Sequence, residues 1–202
     1  MPPPYEVHAA PLTLYYAAVG ATFPALLTTP PIAWTKLGQN GDLNYMDDGI
    51  KITHPMTTKP FRGLGDPGTL KEFIDTEDLM IEVTVADWRL EVHAQALNQN
   101  TVSTVAPGVG SAGYKKMGLS RGIILSEFAL LVRGTRASAY GDDYVAQYEI
   151  PRVVQIGEPN PVARRSDPFG LLFKFKALVD PNAASVDERF GRLLQQNAEP
   201  GT

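Results

Sequence analysis

The sequence predicts a mainly β fold, a sandwich or partial barrel with one flanking helix, long loops and a C-terminal arm. Three observations carry this. Proline and glycine are abundant, 17 and 18 of 202 residues, which suits a strand-rich chain with many turns. Several segments alternate apolar and polar residues with the two-residue period of a half-buried strand. Only Trp88 to Asn98 runs at helical spacing without glycine or proline and follows a capping residue, Asp87.

The elements follow in order. Leu12 to Val19 reads as a first strand and Gly20 to Pro31 as a proline-punctuated loop. Ile32 to Leu37 reads as a short strand holding Trp34. Asp42 to Tyr45 leads into Asp48-Gly49, a hairpin-turn signal, and Ile50 to Thr53 leaves that turn. The stretch 53–77 carries Pro55, Pro60, Gly63, Gly65, Pro67 and Gly68 and reads as a long loop. Leu79, Ile81, Val83 and Val85 then alternate with Met80, Glu82 and Thr84, a half-buried strand. In the helix, Leu90, Ala94 and Leu97 form a narrow stripe that suits packing on the outside of a sheet. Thr101 to Val105 is a short strand ended by Pro107. Three longer strands follow: Gly122 to Arg133, Tyr144 to Ile156 and Leu171 to Val179. Asp187 to Gln196 reads as a terminal helix or arm weakened by Gly191. The whole, 1–202, is expected to be one domain, with 180–202 as its arm.

The totals narrow the class. Hydrophobic residues make up 44% of the chain and charged residues 20%, enough for a real core. A formal charge of −4 does not suit a general nucleic-acid binder. There is no cysteine, which removes disulfides, thiolate nucleophiles and cysteine-ligated metals. The N-terminal MPPPYEVHAAPL lacks the basic-then-apolar pattern of a secretory signal, and no apolar run has the length of a membrane span, so the expectation is a chain that folds in the cytoplasm.

Chemistry-bearing patterns are few. Gly108 to Gly113, GVGSAG, matches the glycine spacing of a dinucleotide fingerprint, but Gly118 and Gly122 interrupt the helix that should follow, so a loop is expected and no cofactor. His8, His54 and His93 lack zinc-site spacing, and no metal is expected. There is no nucleophile elbow and no phosphate-binding Walker loop. Asp47-Asp48 suits a turn, and Glu77-Asp78 begins a strand. The basic pairs Lys115-Lys116 and Arg164-Arg165 suit surface loops or salt links to a neighbouring chain, and Trp34 and Trp88 suit core or interface anchors.

The order of segments from Ile32 to Val105 resembles a known family. It comprises Trp34, Gly38, Gly41 and Tyr45, then DDGIKIT, a long loop, and TEDLMIEVTVADWRLEVHAQALNQNTV. It is similar to the tail tube protein of long-tailed bacteriophages and phage-like particles. The resemblance implies a structural virion protein, not an enzyme. Its subunits close into hexameric rings that stack into a hollow tail tube, assembled in the host cytoplasm, through which DNA is delivered. It implies as partners further copies of the chain, a tape-measure protein, a tail terminator and baseplate or distal tail proteins. On that reading the loop 53–77 lies across a neighbouring subunit with Phe61 and Phe73 as anchors, and Trp34, Arg164 and Arg165 serve contacts between chains. One strand face should line a pore that is polar and not strongly basic, with Lys115 and Lys116 outside it. A secretion-system tube, a tail terminator, a capsid or neck protein, and a small hydrolase or cofactor enzyme remain as other readings.

Overall fold

A computed structural model describes residues 11–65, 67–162, 165 and 168–200. The chain is mainly β with one α-helix among the described residues, and every strand pairing is antiparallel. The strands are β1 (Thr13–Ala17), β2 (Thr35–Lys36), β3 (Tyr45–Thr53), β4 (Met56–Arg62), β5 (Thr69–Glu77) and β6 (Met80–Val85). Helix α1 (Leu90–Ala96) follows, then β7 (Val102–Val105), β8 (Tyr114–Met117), β9 (Glu127–Gly134), β10 (Ala146–Gln155), β11 (Leu171–Ala177) and β12 (Arg192–Gln195). Eight strands form one sheet in the order β2-β1-β9-β10-β11-β6-β3, with β12 also on β10, while β4–β5 and β7–β8 stand apart as hairpins.

The core follows from alternation. Ile81, Val83 and Val85 of β6 and Leu171, Phe173, Phe175 and Ala177 of β11 turn to one side. There they meet Leu14, Leu130, Val132 and Ile150, with Val92 and Ala96 of α1 packed in the same cluster. Each such large side chain contributes about 1.5–3 kcal/mol by leaving water. The opposite face of β1 and β9 is covered as well, by Ala17, Trp34, Ala129 and Leu131 with Tyr15, Ala21 and Phe23. Strand β9 is therefore buried on both faces, which is why its sequence is apolar at nearly every position.

The cover over that second face is the proline-rich segment 20–31, held by polar groups of the sheet. The Arg133 guanidinium donates to the Thr28 carbonyl at 2.6 Å and to that of Leu26, and Gln147 donates to the Pro24 carbonyl at 2.9 Å. Trp34 donates its indole N–H to the Thr22 carbonyl at 3.0 Å and packs against Phe23.

Several expectations need correction. The segment 53–77 is not a structureless loop but the β4–β5 hairpin. Its clustered Gly63, Gly65, Pro67 and Gly68 fall at or beside the tip, outside both strands. Asp48-Gly49 is no hairpin turn. Both residues lie within β3, whose pairing with β6 jumps from Tyr45↔Val85 to Ile50↔Val83, so the positive φ of 66° at Gly49 serves a bulge. Asp87 is no simple cap. Its carboxylate accepts from the Arg89 amide at 3.1 Å and the Gln39 amide at 3.0 Å, and the helix begins only at Leu90. The strand expected at 32–37 shrinks to Thr35–Lys36, and the one expected at 122–133 begins at Glu127. In β10 the alternation changes phase between Ile150 and Val153, because Pro151 has no N–H to give the ladder. Where a terminal helix or arm is expected at Asp187 to Gln196, residues Val186–Glu188 form a single 3-10 turn and Arg192–Gln195 form β12, folded back onto β10 and entered through Gly191 at φ 123°. A Cβ at Gly191 would overlap the Glu149 carbonyl.

Candidate interaction surfaces

Strands β3 to β6 make one continuous ribbon. Thr53 pairs with Met80 at the end of the main sheet, Pro55 accepts from the Asp78 amide at 3.0 Å, and Met56 then pairs with Glu77 in unbroken register. The inner half is a sheet edge packed on the core. The outer half, β4–β5, leaves the sheet, and every residue of its two strands except Glu77 is exposed. Six large apolar residues sit there, Met56, Phe61, Leu64, Leu70, Phe73 and Ile74, each at least 53% exposed. Pro60 is tolerated because a two-stranded ribbon has only edges.

The hairpin has two unlike faces. Cross-strand pairs Lys59↔Phe73 and Phe61↔Lys71 lie two residues apart along each strand and share one face. The Lys71 ammonium lies 5.3 Å from the centre of the Phe73 ring. The pairs Thr58↔Ile74 and Pro60↔Glu72 occupy the other face. Phe61 and Phe73, expected as anchors from the sequence, are thus exposed together. The base is tied down by an Arg189–Glu77 ion pair.

The other expected contact residues do not join them. Trp34 is spent within its own chain, only 5% exposed, so it offers almost no surface to a neighbour. Arg165 is exposed in a bend, and Arg164 lies outside the described residues, as does His8. Lys115 pairs with Glu91 of α1, and that hydrogen bond holds the Glu91 carboxyl below its usual range. Lys116 is exposed opposite Ser103. His54 is exposed between β3 and β4. His93 meets the half-exposed Trp88 edge-on at 5.3 Å, and burial lowers its pKa, while Trp88 stacks on Phe169 at 4.5 Å.

The glycine motif has a structural job. Gly108 and Ser111 exchange backbone hydrogen bonds of 3.0 and 3.1 Å, and Gly110 takes φ 75°, closing the tip between β7 and β8. A strand rather than a helix follows it, so no helix N-terminus faces these glycines.

Concave sites are sparse in chemistry. A cavity of about 10 Å³ beneath Tyr16 and Gln95 has room for a single water. Among the described residues no group of three His, Asp or Glu could hold a metal ion. A cleft of about 240 Å³ opens beside β12, with Phe23, Pro151, Ala183 and Ala184 as its apolar lining and Glu149, Asp180 and Glu188 as its acids. Glu149 is buried, and it accepts from Gln147 at 2.6 Å and Arg192 at 2.7 Å. That bond holds Arg192 more firmly charged than usual. Sequence reasoning missed this cleft, since it joins residues from 23 to 192 that no local pattern links.

Two further surfaces stand out. Strand β3 ends the sheet, and among the described residues no strand pairs with its outer edge. Across β3, β6 and β11, the residues Lys51, Glu82 and Lys174 stand in one cross-strand row. Lys174 reaches Glu82 at 2.6 Å and Lys176 reaches Asp78 at 2.8 Å, giving a polar face of mixed charge. No helix among the described residues is long and apolar enough to cross a membrane. No protein-family model matches the chain, and no curated protein matches it significantly.

Proposed function

We propose that this chain is a structural subunit that polymerises with copies of itself, and that it forms the hexameric rings of a phage tail tube. One observation carries the reading: an ordered hairpin that leaves the main sheet and carries six large apolar side chains in solvent. A two-stranded hairpin alone is marginally stable in water, and such an apolar surface calls for a partner. The open β3 edge supports the same reading, because an unpaired edge is removed when sheets join across subunits and the ring closes. The face bearing Lys51, Glu82 and Lys174 suits a lumen along which DNA slides without being held by a basic lining.

In this reading the chain catalyses nothing and needs no cofactor. Its partners are neighbouring copies, a tape-measure protein, a tail terminator and distal tail or baseplate proteins, and its place is the virion tail. A secretion-system tube would use the same surfaces, and neighbouring genes distinguish the two. Negative-stain microscopy of the concentrated protein tests the proposal. Six-fold rings or hollow tubes are expected, and a chain that stays monomeric at every concentration contradicts it.

A further inference from the structure

We propose that the Lys59–Phe61–Lys71–Phe73 face of the hairpin docks into the acidic cleft beside β12 of a second copy. The inference rests on the self-assembly reading and names the two surfaces that meet.

The two surfaces are complementary in kind. The hairpin face presents two aromatic rings flanked by two ammonium groups, and neither lysine has a carboxylate partner among the described residues. The cleft presents Phe23, Pro151 and Ala183 as an apolar lining together with the carboxylates of Asp180 and Glu188. Its carboxylates exceed its cations. The Arg192 guanidinium is committed to Glu149 at 2.7 Å and stands 4.0 Å from Glu188. Among the described residues the Asp180 carboxylate accepts only a local amide, that of Asn182 at 3.0 Å. The cleft offers an open volume of about 240 Å³. Orientation is set by charge as well. The opposite hairpin face carries Glu72, which the same cleft would repel.

Charge reversal with rescue tests this. The variant K59E/K71E and the variant D180K/E188K alter exposed or half-exposed side chains, so each should keep the circular dichroism and melting temperature of the parent. Each should raise the protein concentration needed for assembly at least about tenfold, by sedimentation, since like charges then face each other. Combining all four changes in one chain should bring that concentration back to within about threefold of the parent, because the charges again match. Two results overturn the docking while leaving self-assembly standing: either double variant assembling like the parent, or the four-fold variant staying as impaired as the doubles. A parent chain that never assembles overturns both.

Discussion

The ribbon from Tyr45 to Val85 has two halves that join in register, from Thr53↔Met80 to Met56↔Glu77, and have opposite fates. In the inner half, β6 alternates buried and half-buried residues, and Ile81, Val83 and Val85 enter the core. In the outer half, β5 is equally a paired strand, yet its apolar Leu70, Phe73 and Ile74 remain in solvent. Strand formation and burial are therefore separable here. The inner half is held by what packs on it. The outer half is held by its partner strand and by the anchored base.

The largest expected effect breaks that comparison at matched residues. Ile81→Ala removes a fully buried side chain and should destabilise the chain by about 2–5 kcal/mol in urea unfolding. Ile74→Ala removes the same atoms from a residue 62% exposed and should change stability by no more than about 0.5 kcal/mol. Equal costs would mean that the hairpin packs in solution.

A second substitution tests the anchor. Gly191→Ala places a Cβ against the Glu149 carbonyl at a φ of 123°, so it should cost more than about 1 kcal/mol and loosen β12. Because Arg189 grips Glu77 two residues before Gly191, proteolysis at the hairpin base should rise with it. Hydrogen exchange should sharpen the contrast without any mutation. In dilute protein, amides of β4 and β5 should exchange through local openings, and those of β6 and β9 only near the global unfolding free energy.

The smallest effect concerns the polar face. The hydrogen bond from Lys174 lowers the Glu82 pKa, with burial opposing it. A carboxylate with a depressed folded pKa adds stability above its unfolded value, which is lost as pH falls through the folded one. For this half-exposed pair the gain should be a few tenths of a kcal/mol. Lys174→Met should therefore differ from the parent at neutral pH, and the difference should vanish in acid.

How far the sequence could be read follows from where the decisive physics lies. Strands β6 and β11 were legible because one face is buried and the two-residue period survives intact. The ends of β10 were legible but not its phase, since Pro151 resets the alternation midway. The hairpin is hidden in the sequence by Pro60, Gly63, Gly65, Pro67 and Gly68. Counted together they suggest a loop, whereas in position all but Pro60 cluster around the tip. Asp48-Gly49 reads as a turn because a turn and a bulge both use a left-handed glycine, and only the pairing with β6 separates them. Of the candidate contacts, Phe61 and Phe73 are exposed on the hairpin, while Trp34 is claimed by a core cluster. The acidic cleft could not be read at all, because long-range pairing alone brings Phe23 to Glu188.

The central claim is that the outer ribbon contributes to assembly and almost nothing to the fold. Replacing Thr57 to Thr76 by a two-residue Asn-Gly turn, which closes such a ribbon at its base, tests it directly. Melting and particle size are then measured on the same sample. The account predicts an unchanged melting transition and a monomer that builds no tubes at concentrations where the parent does. A shortened chain that melts early, or that still forms tubes of normal length, would contradict it.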